Sequence, residues 1–261
     1  TSPVRSAFKK YLTYLNQTQG YGKQKSMELD WLKNQLDQFE VSGSRNLNKS
    51  EVLDEYLTPA EIQTLLDYIT KQTDRGYFKS EREFDQFSIL PLLMFETGAR
   101  VSEMIGKQQD PDHVGLKVSN IDFSENKITI LDAKYGKNRT ADFQLSEDLL
   151  RSYLEKHGIE SGQVFDIDYH RFLRKLKMES QAALNREVAT HAFRHSFATN
   201  WVIQRSEEGE SWASAKEKVN AYLDHEDMKT TEAYIDAAQE LVRKNIYEEY
   251  GSFSISVEAE V

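Results

Sequence analysis

The stretch SNIDFSENKITILDAKYGKNRTADFQL, residues 119–145, decides the fold, because it is where the hydrophobic period changes. SNIDF, NKITILDAK and ADFQL read as three short strands, joined by a Ser-Glu-Asn turn and a Tyr-Gly-Lys-Asn turn. Strands this short, linked by turns this tight, predict a small antiparallel sheet. The sequence on either side has the spacing of helices, so the expected fold is mainly α with one small three-stranded antiparallel β-sheet.

Immediately upstream, FSILPLLMFETG (87–98) is apolar nearly all round and predicts a core helix, with Pro91 near its start or kinking it and Gly98 at its end. A short helix over ARVSEMIG follows. Before it, Thr58 as N-cap, Pro59 at the first helical position and Glu61 closing a capping box start another helix, whose buried stripe is Ile62, Leu65, Leu66 and Ile69. Two amphipathic helices are predicted nearer the start. Phe8, Tyr11, Leu12 and Leu15 mark one over 3–16, and Leu29, Leu32, Leu36 and Phe39 mark the other over 27–39. The polar run VSGSRNLNKSE (41–51) reads as a linker. Downstream of the sheet, Leu149, Leu150, Tyr153 and Leu154 share one helix ending at Gly158, and further helices are expected near 168–184, 190–204, 213–223 and 231–249. The organisation expected is a helical segment over 1–45, a linker over 46–55, a main domain over 56–250 and a tail over 251–261.

Composition narrows the chemistry. The 261 residues include no cysteine, which excludes disulfides, cysteine-ligated zinc and thiol catalysis. No apolar run approaches the roughly 20 residues of a membrane span, and the opening TSPVRSAFKKYL lacks the layout of a signal peptide, so a cytoplasmic protein without membrane contact is expected. The formal charge of −10 weighs against nucleic acid as a partner only in total, since phosphate binding follows local potential. Basic residues cluster in YHRFLRKLK (169–177) and AKYGKNR (133–139), while acidic ones gather in EVLDEYL, RSEEGES and the tail. A polarised molecule with one basic face fits that distribution.

Four stretches set unusual polar residues beside apolar ones: TGARVSE (97–103), AKYGKNR (133–139), THAFRHSFATN (190–200) and LDHEDMKTTEAYI (223–235). Each has a bland reading. Arg100 fits a surface charge at a helix start, and Lys134 fits solubility at a turn. His191 and His195, four apart on a helix, have the spacing of a metal pair, yet the Glu of a metalloprotease HExxH is missing.

In combination and in order, the four stretches resemble the catalytic signature of the tyrosine recombinases, the phage integrase family. That signature is an Arg in T-G-x-R-x-S-E, a Lys in a β-hairpin, H-x-x-R-H on a helix, and L-x-H followed nine residues later by Tyr. Arg100, Lys134, His191, Arg194, His225 and Tyr234 fill the six positions. The resemblance covers about residues 56–250, and the first 50 match only in being helical. It implies the family's catalytic-domain fold preceded by a short, partial helical DNA-clamp segment. It also implies site-specific cutting and rejoining of DNA through a 3′-phosphotyrosyl intermediate, with no cofactor and no metal ion. The implied partner is double-stranded DNA carrying a specific recombination site, bound by a homotetramer assembled from monomers, with the protein nucleoid-associated when on DNA. A type IB topoisomerase, a telomere resolvase and an inactive DNA-binding regulator are the competing readings.

The chemistry needs these residue types. Two guanidinium forks, Arg100 and Arg194, suit the non-bridging oxygens of a phosphodiester under attack. A tyrosine hydroxyl needs a proton acceptor, and His191 resembles the family residue with that task, on the same helix face as Arg194. The departing 5′ oxygen needs a proton, which a lysine on a β-turn supplies as general acid. Lys134 lies five residues before Arg139, as in the family's hairpins, and Lys137 is the neighbouring alternative. His225 is expected to bind the scissile phosphate, Glu103 to buttress Arg100, and His195 to support the site from behind. Of the thirteen tyrosines, Tyr234 alone follows the L-x-H box at the family spacing, on the first turn of a helix, while Tyr222 sits on an apolar stripe with Val219 and Leu223. Arg139, Arg171, Arg174 and Lys175 are the candidates for DNA contact.

Three features depart from the family pattern. Asp224 stands where Gly is usual in L-x-H, QRSEEGESWASAKEKV (204–219) is long and acidic, and the N-terminal helical part is shorter than the family's clamp of four or more helices. For the tail, exchange onto a neighbouring protomer and disorder are both compatible with the sequence.

Overall fold

The computed structural model describes residues 11–15, 25, 29, 47–72, 74–106, 114–131, 138–223 and 228–244. The chain forms two compact units, 1–46 and 47–261. In the first, residues 11–15 are helical, as are 25 and 29. The rest of the two helices expected there, together with Lys134, Lys137, Asp224, His225 and the tail 251–261, lies outside the described residues.

The second unit begins with a correction. Residues 49–55, expected as linker, form helix α1 (Lys49–Glu55), because Asn48 and Glu51 close a capping box and Val52 is buried. A polar, Asn- and Ser-containing run here is a helix start. Helix α2 (Pro59–Gln72) opens as predicted, with the Thr58 hydroxyl accepting from the Glu61 N–H at 3.2 Å and Glu61 accepting from the Thr58 N–H at 2.9 Å. Helix α3 (Glu81–Thr97) starts two turns earlier than its apolar run suggests, capped by Ser80. Pro91 therefore sits mid-helix, where it cannot donate to the Phe87 carbonyl. Gly98 ends α3 with φ of 63°, and α4 (Val101–Ile105) follows directly.

The sheet is three-stranded and antiparallel in the order β1-β2-β3, formed by Ile121–Asp122, Lys127–Leu131 and Asn138–Asp142. Two of its strands depart from expectation. A 3-10 turn at Val118–Asn120 shortens β1. The third strand starts three residues upstream of ADFQL and shares only Ala141 and Asp142 with it, with Ile130 opposite Arg139 and Ile128 opposite Ala141. The physical reason is Glu96, whose carboxylate accepts the N–H groups of Gln144, Leu145 and Ser146 at 2.8–3.1 Å, as well as the Ser146 hydroxyl. Those bonds pull 144–146 off the sheet and onto the end of α3.

Helices α5 (Glu147–Lys156), α6 (Tyr169–Leu184), α7 (Thr190–Glu207), α8 (Trp212–Leu223) and α9 (Met228–Arg243) complete the unit. Two apolar clusters form its interior. One gathers α2, α3, α4, the sheet, α5 and α6, and the other gathers α1, α8 and α9. Helix α7 belongs to both: Ala192 and Phe193 pack into the first, and Ala198, Val202 and Ile203 into the second. Its second turn, between these two sets, is thus held from two sides by close packing. Among the described residues no helix is long and apolar enough to cross a membrane.

Candidate active site

Arg194 sits on that second turn of α7 with 4% of its surface exposed. Its guanidinium donates to the Gly98 carbonyl at 2.8 Å and to the Leu223 carbonyl at 2.6 Å. Two of its five donors thereby join the end of α3 to the end of α8. The Gly98 carbonyl is available because a left-handed residue there turns the chain sharply. A side chain at that position is excluded, since a Cβ would lie 2.4 Å from the Phe197 ring. Burial, first, and the charge of Arg100, second, lower the Arg194 pKa to about 10, so it stays charged at neutral pH.

Arg100 precedes α4, and Glu103 binds it twice: the carboxylate accepts the Arg100 backbone N–H at 2.8 Å and its guanidinium at 2.7 Å. Arg139 approaches the same carboxylate at 3.6 Å. Arg100 and Arg139 share this one carboxylate, with Arg194 within electrostatic reach of it, and together they leave a local excess of positive charge inside an acidic protein. A phosphodiester, which carries one negative charge and two free oxygens, matches that excess.

Tyr234 is 1% exposed and lies in the second turn of α9, not its first, because the helix starts at Met228. Its hydroxyl lies 3.0 Å from Nδ1 of His195. His195 Nε2 lies 3.4 Å from the Glu55 carboxylate at the end of α1. Burial raises the Tyr234 pKa to about 12, against the opposing pull of Arg194 and Arg100. Burial, His191 and Arg194 lower that of His195 to about 3, so its ring is neutral at neutral pH. The structure therefore brings His195, and not the expected His191, to the tyrosine. His191 stacks on His195 with ring centroids 6.1 Å apart and keeps a solvent-facing side at the mouth of the site. The protein crowding that ring, together with the charges of Arg194 and Arg100, holds its pKa below the ordinary histidine value.

The candidates for DNA contact divide. Lys175 is corrected from a surface contact to a core ion pair: it is 3% exposed, 2.5 Å from Glu179, and lies over the Tyr77 ring. Arg171 donates to the Tyr77 carbonyl at 2.8 Å and pairs with Glu83 at 3.4 Å. Arg139 points inward, donating to the Thr97 carbonyl at 3.0 Å and lying over the Tyr222 ring. Arg174 alone of the four is exposed. A basic run on a helix says nothing of which face it presents, and α6 turns Arg171 and Lys175 towards α2 and the Tyr77–Phe78 edge. Tyr222, expected in the core, is half-buried, stacked on Phe197. Among the described residues no group of three or more His, Asp or Glu side chains is placed to hold a metal ion.

The sequence model of the phage integrase family matches residues 55–240. The chain is 27% identical over 172 residues to the tyrosine recombinase XerA of Pyrococcus furiosus, covering 62% of this chain and 52% of that protein. It is 29% identical over 164 residues to the integrase of Escherichia phage P2, covering 62% of this chain and 40% of that protein. The chain thus spans about half the length of these relatives, or less. In fold it is similar to XerH site-specific recombinase bound to palindromic difH substrate in a post-cleavage complex, with a TM-score of 0.55 at 17% identity over 94% of this chain and 72% of that one.

Proposed function

The chain belongs to the phage integrase family, the tyrosine recombinases, and from that premise we propose that it is a site-specific DNA recombinase whose nucleophile is Tyr234. The observation that carries this reading is the meeting of Tyr234, His195, Arg194 and Arg100 at the second turn of α7, from three separate elements. Arg100 and Arg194 hold the non-bridging oxygens of the scissile phosphate, and His191 and His225 add hydrogen bonds to it.

The Tyr234 hydroxyl oxygen attacks phosphorus and its proton passes to His195 Nδ1. The bond from phosphorus to the 5′ oxygen breaks, and that oxygen takes a proton from Lys134. A 3′-phosphotyrosyl link and a free 5′ hydroxyl result. The 5′ hydroxyl of a partner duplex then attacks, returning one proton to Lys134 while His195 gives the other back to tyrosine. The ester energy stays in the covalent link throughout. Because Tyr234 is 1% exposed, the cover over its ring opens as DNA docks, with the Tyr234–His195 contact retained. A similar recombinase bound to its palindromic substrate supports a DNA site as substrate, and with one nucleophile per cut strand the four strands of two duplexes would take four protomers. In this reading residues 1–45 are part of a DNA clamp and residues 56–250 are the catalytic domain, acting on cytoplasmic, nucleoid-associated DNA.

Two labelled duplexes of different length, sharing a site selected from a random pool by binding, test the proposal. Products of recombinant length are expected. Relaxation of a supercoiled plasmid with no exchange between duplexes would indicate a topoisomerase-like reaction in its place.

A further inference from the structure

Glu55 belongs to none of the four motifs, yet its carboxylate is built into the tyrosine's surroundings. The chain on both sides of it is tied down. Arg186 donates to the carbonyls of Asp54 at 2.8 Å and Tyr56 at 2.7 Å, the Tyr56 hydroxyl donates to Asn200 at 2.8 Å, and the Leu57 N–H donates to the Ser196 hydroxyl at 2.8 Å. Asn200 and Ser196 are on α7, beside His195. These bonds bring the end of α1 against the far side of the His195 ring, 3.4 Å from Nε2.

We propose that Glu55 is a positioning residue for strand cleavage, holding His195 in the one neutral tautomer whose Nδ1 accepts the hydroxyl hydrogen of Tyr234. This rests on the reading of Tyr234 as nucleophile. A carboxylate only accepts hydrogen bonds, and a neutral imidazole carries one N–H. The favourable arrangement therefore puts that hydrogen on Nε2, facing Glu55, and a lone pair on Nδ1, facing Tyr234 at 3.0 Å. In the other tautomer a lone pair would face the carboxylate, and Nδ1 would donate to the tyrosine oxygen, turning the hydroxyl hydrogen away from its acceptor. The logic is that of a carboxylate orienting a histidine behind a hydroxyl nucleophile.

Charge points the same way. The groups facing His195 are His191 and Arg194 from its own helix, Tyr234 from α9 and Glu55 from α1, with Arg100 beyond Arg194. The guanidinium charge opposes a proton on the ring, and Glu55 is the one carboxylate in contact with it among these groups. A phosphodiester docked on Arg100 and Arg194 neutralises part of the guanidinium charge, which weakens one of the effects that oppose a proton on the ring, burial being the largest.

Single-turnover cleavage of a nicked duplex and nitrogen NMR of the His195 ring test this together. Glu55→Ala is expected to slow formation of the Tyr234 adduct about 10- to 100-fold, the range typical for loss of an orienting partner. DNA binding should not weaken, and the ring should lose its preference for hydrogen on Nε2. Glu55→Gln, which keeps an acceptor oxygen, should restore the tautomer and most of the rate. Glu55→Leu, which keeps bulk and helix propensity, should behave as Ala does and stands in for it if Ala fails to fold. Wild-type rates in Ala and Leu, or an unchanged tautomer, overturn the role of Glu55 while leaving Tyr234 as nucleophile. No Tyr234 adduct from the wild type overturns the nucleophile reading and the role with it.

Discussion

The guanidinium of Arg194 donates to the carbonyl of Leu223 at 2.6 Å, so the helix bearing H-x-x-R-H grips the first residue of the L-x-H box. The same group grips Gly98, which follows the T of the T-G-x-R box. Three motifs far apart in sequence are thus joined through one buried cation.

That cation has a structural as well as a chemical role. Arg194→Lys keeps a charge but cannot bridge two carbonyls with a fork. It is expected to cost about 2 kcal/mol in stability, from unsatisfied buried carbonyls, and to reduce cleavage to background. Urea denaturation beside an adduct assay checks both. Wild-type stability in the Lys variant would mean that the fork is not what holds the motifs together.

Arg174 and Lys175, neighbours in sequence, should behave oppositely. Arg174→Ala is expected to weaken DNA binding and reduce its dependence on log salt by about one unit, as loss of a phosphate contact does. Lys175→Met should leave the salt dependence unchanged and cost about 3 kcal/mol in stability, because it leaves Glu179 buried beside an apolar chain. Binding titrations at several salt concentrations, with thermal melts, separate the two.

Stability should fall on acidification through the window that His195 sets. Its pKa is about 3 when folded and 6.5 when free, so the unfolded chain binds the extra proton as pH drops through 6.5 and the folded one resists it until about 3. The contribution is complete above the free value and lost as pH falls towards the folded one. The lowered pKa of His191 acts in the same direction. Between about pH 4 and 6, His195→Gln should lose stability less steeply than wild type, by up to about 1.4 kcal/mol per pH unit. Parallel slopes in the two proteins would mean that the folded His195 ring takes up its proton as readily as a free one.

The hairpin lysine is best identified through the leaving group. A duplex with sulfur in place of the bridging 5′ oxygen releases a thiolate, which needs no proton from an acid. Lys134→Ala is expected to abolish cleavage of the ordinary duplex and to recover on the sulfur substrate, whereas Lys137→Ala should be near wild type on both. Rescue of the Lys137 variant alone would exchange the two assignments.

The parts of this architecture that local signals control were legible in the sequence. Thr58, Pro59 and Glu61 start α2 by hydrogen bonds within one turn, and the apolar period places α7 and α8 closely. The misreadings come from longer reach. The third strand is displaced because Glu96, on another element, takes the N–H groups of residues 144–146. The helix at 49–55 was hidden because Asn and Ser signal a helix start as readily as a loop. Motif order brought Arg100, Arg194 and Tyr234 into one list, but not the partner of each. Whether His191 or His195 meets Tyr234 depends on how α7 and α9 are rotated against each other, and Glu55 comes from a helix with no motif at all. The inward turn of Arg139 had a faint signal: it faces Ile130 across the sheet, where Ile128 and Ala141 mark the same strands as half-buried.

The most direct test is a suicide duplex nicked beside the crossover point, incubated with the wild type and with Tyr234→Phe and resolved under denaturing conditions. The account predicts a covalent protein–DNA adduct through a 3′ phosphate in the wild type and none in the variant. An adduct that persists in Tyr234→Phe would contradict it by moving the nucleophile to another residue.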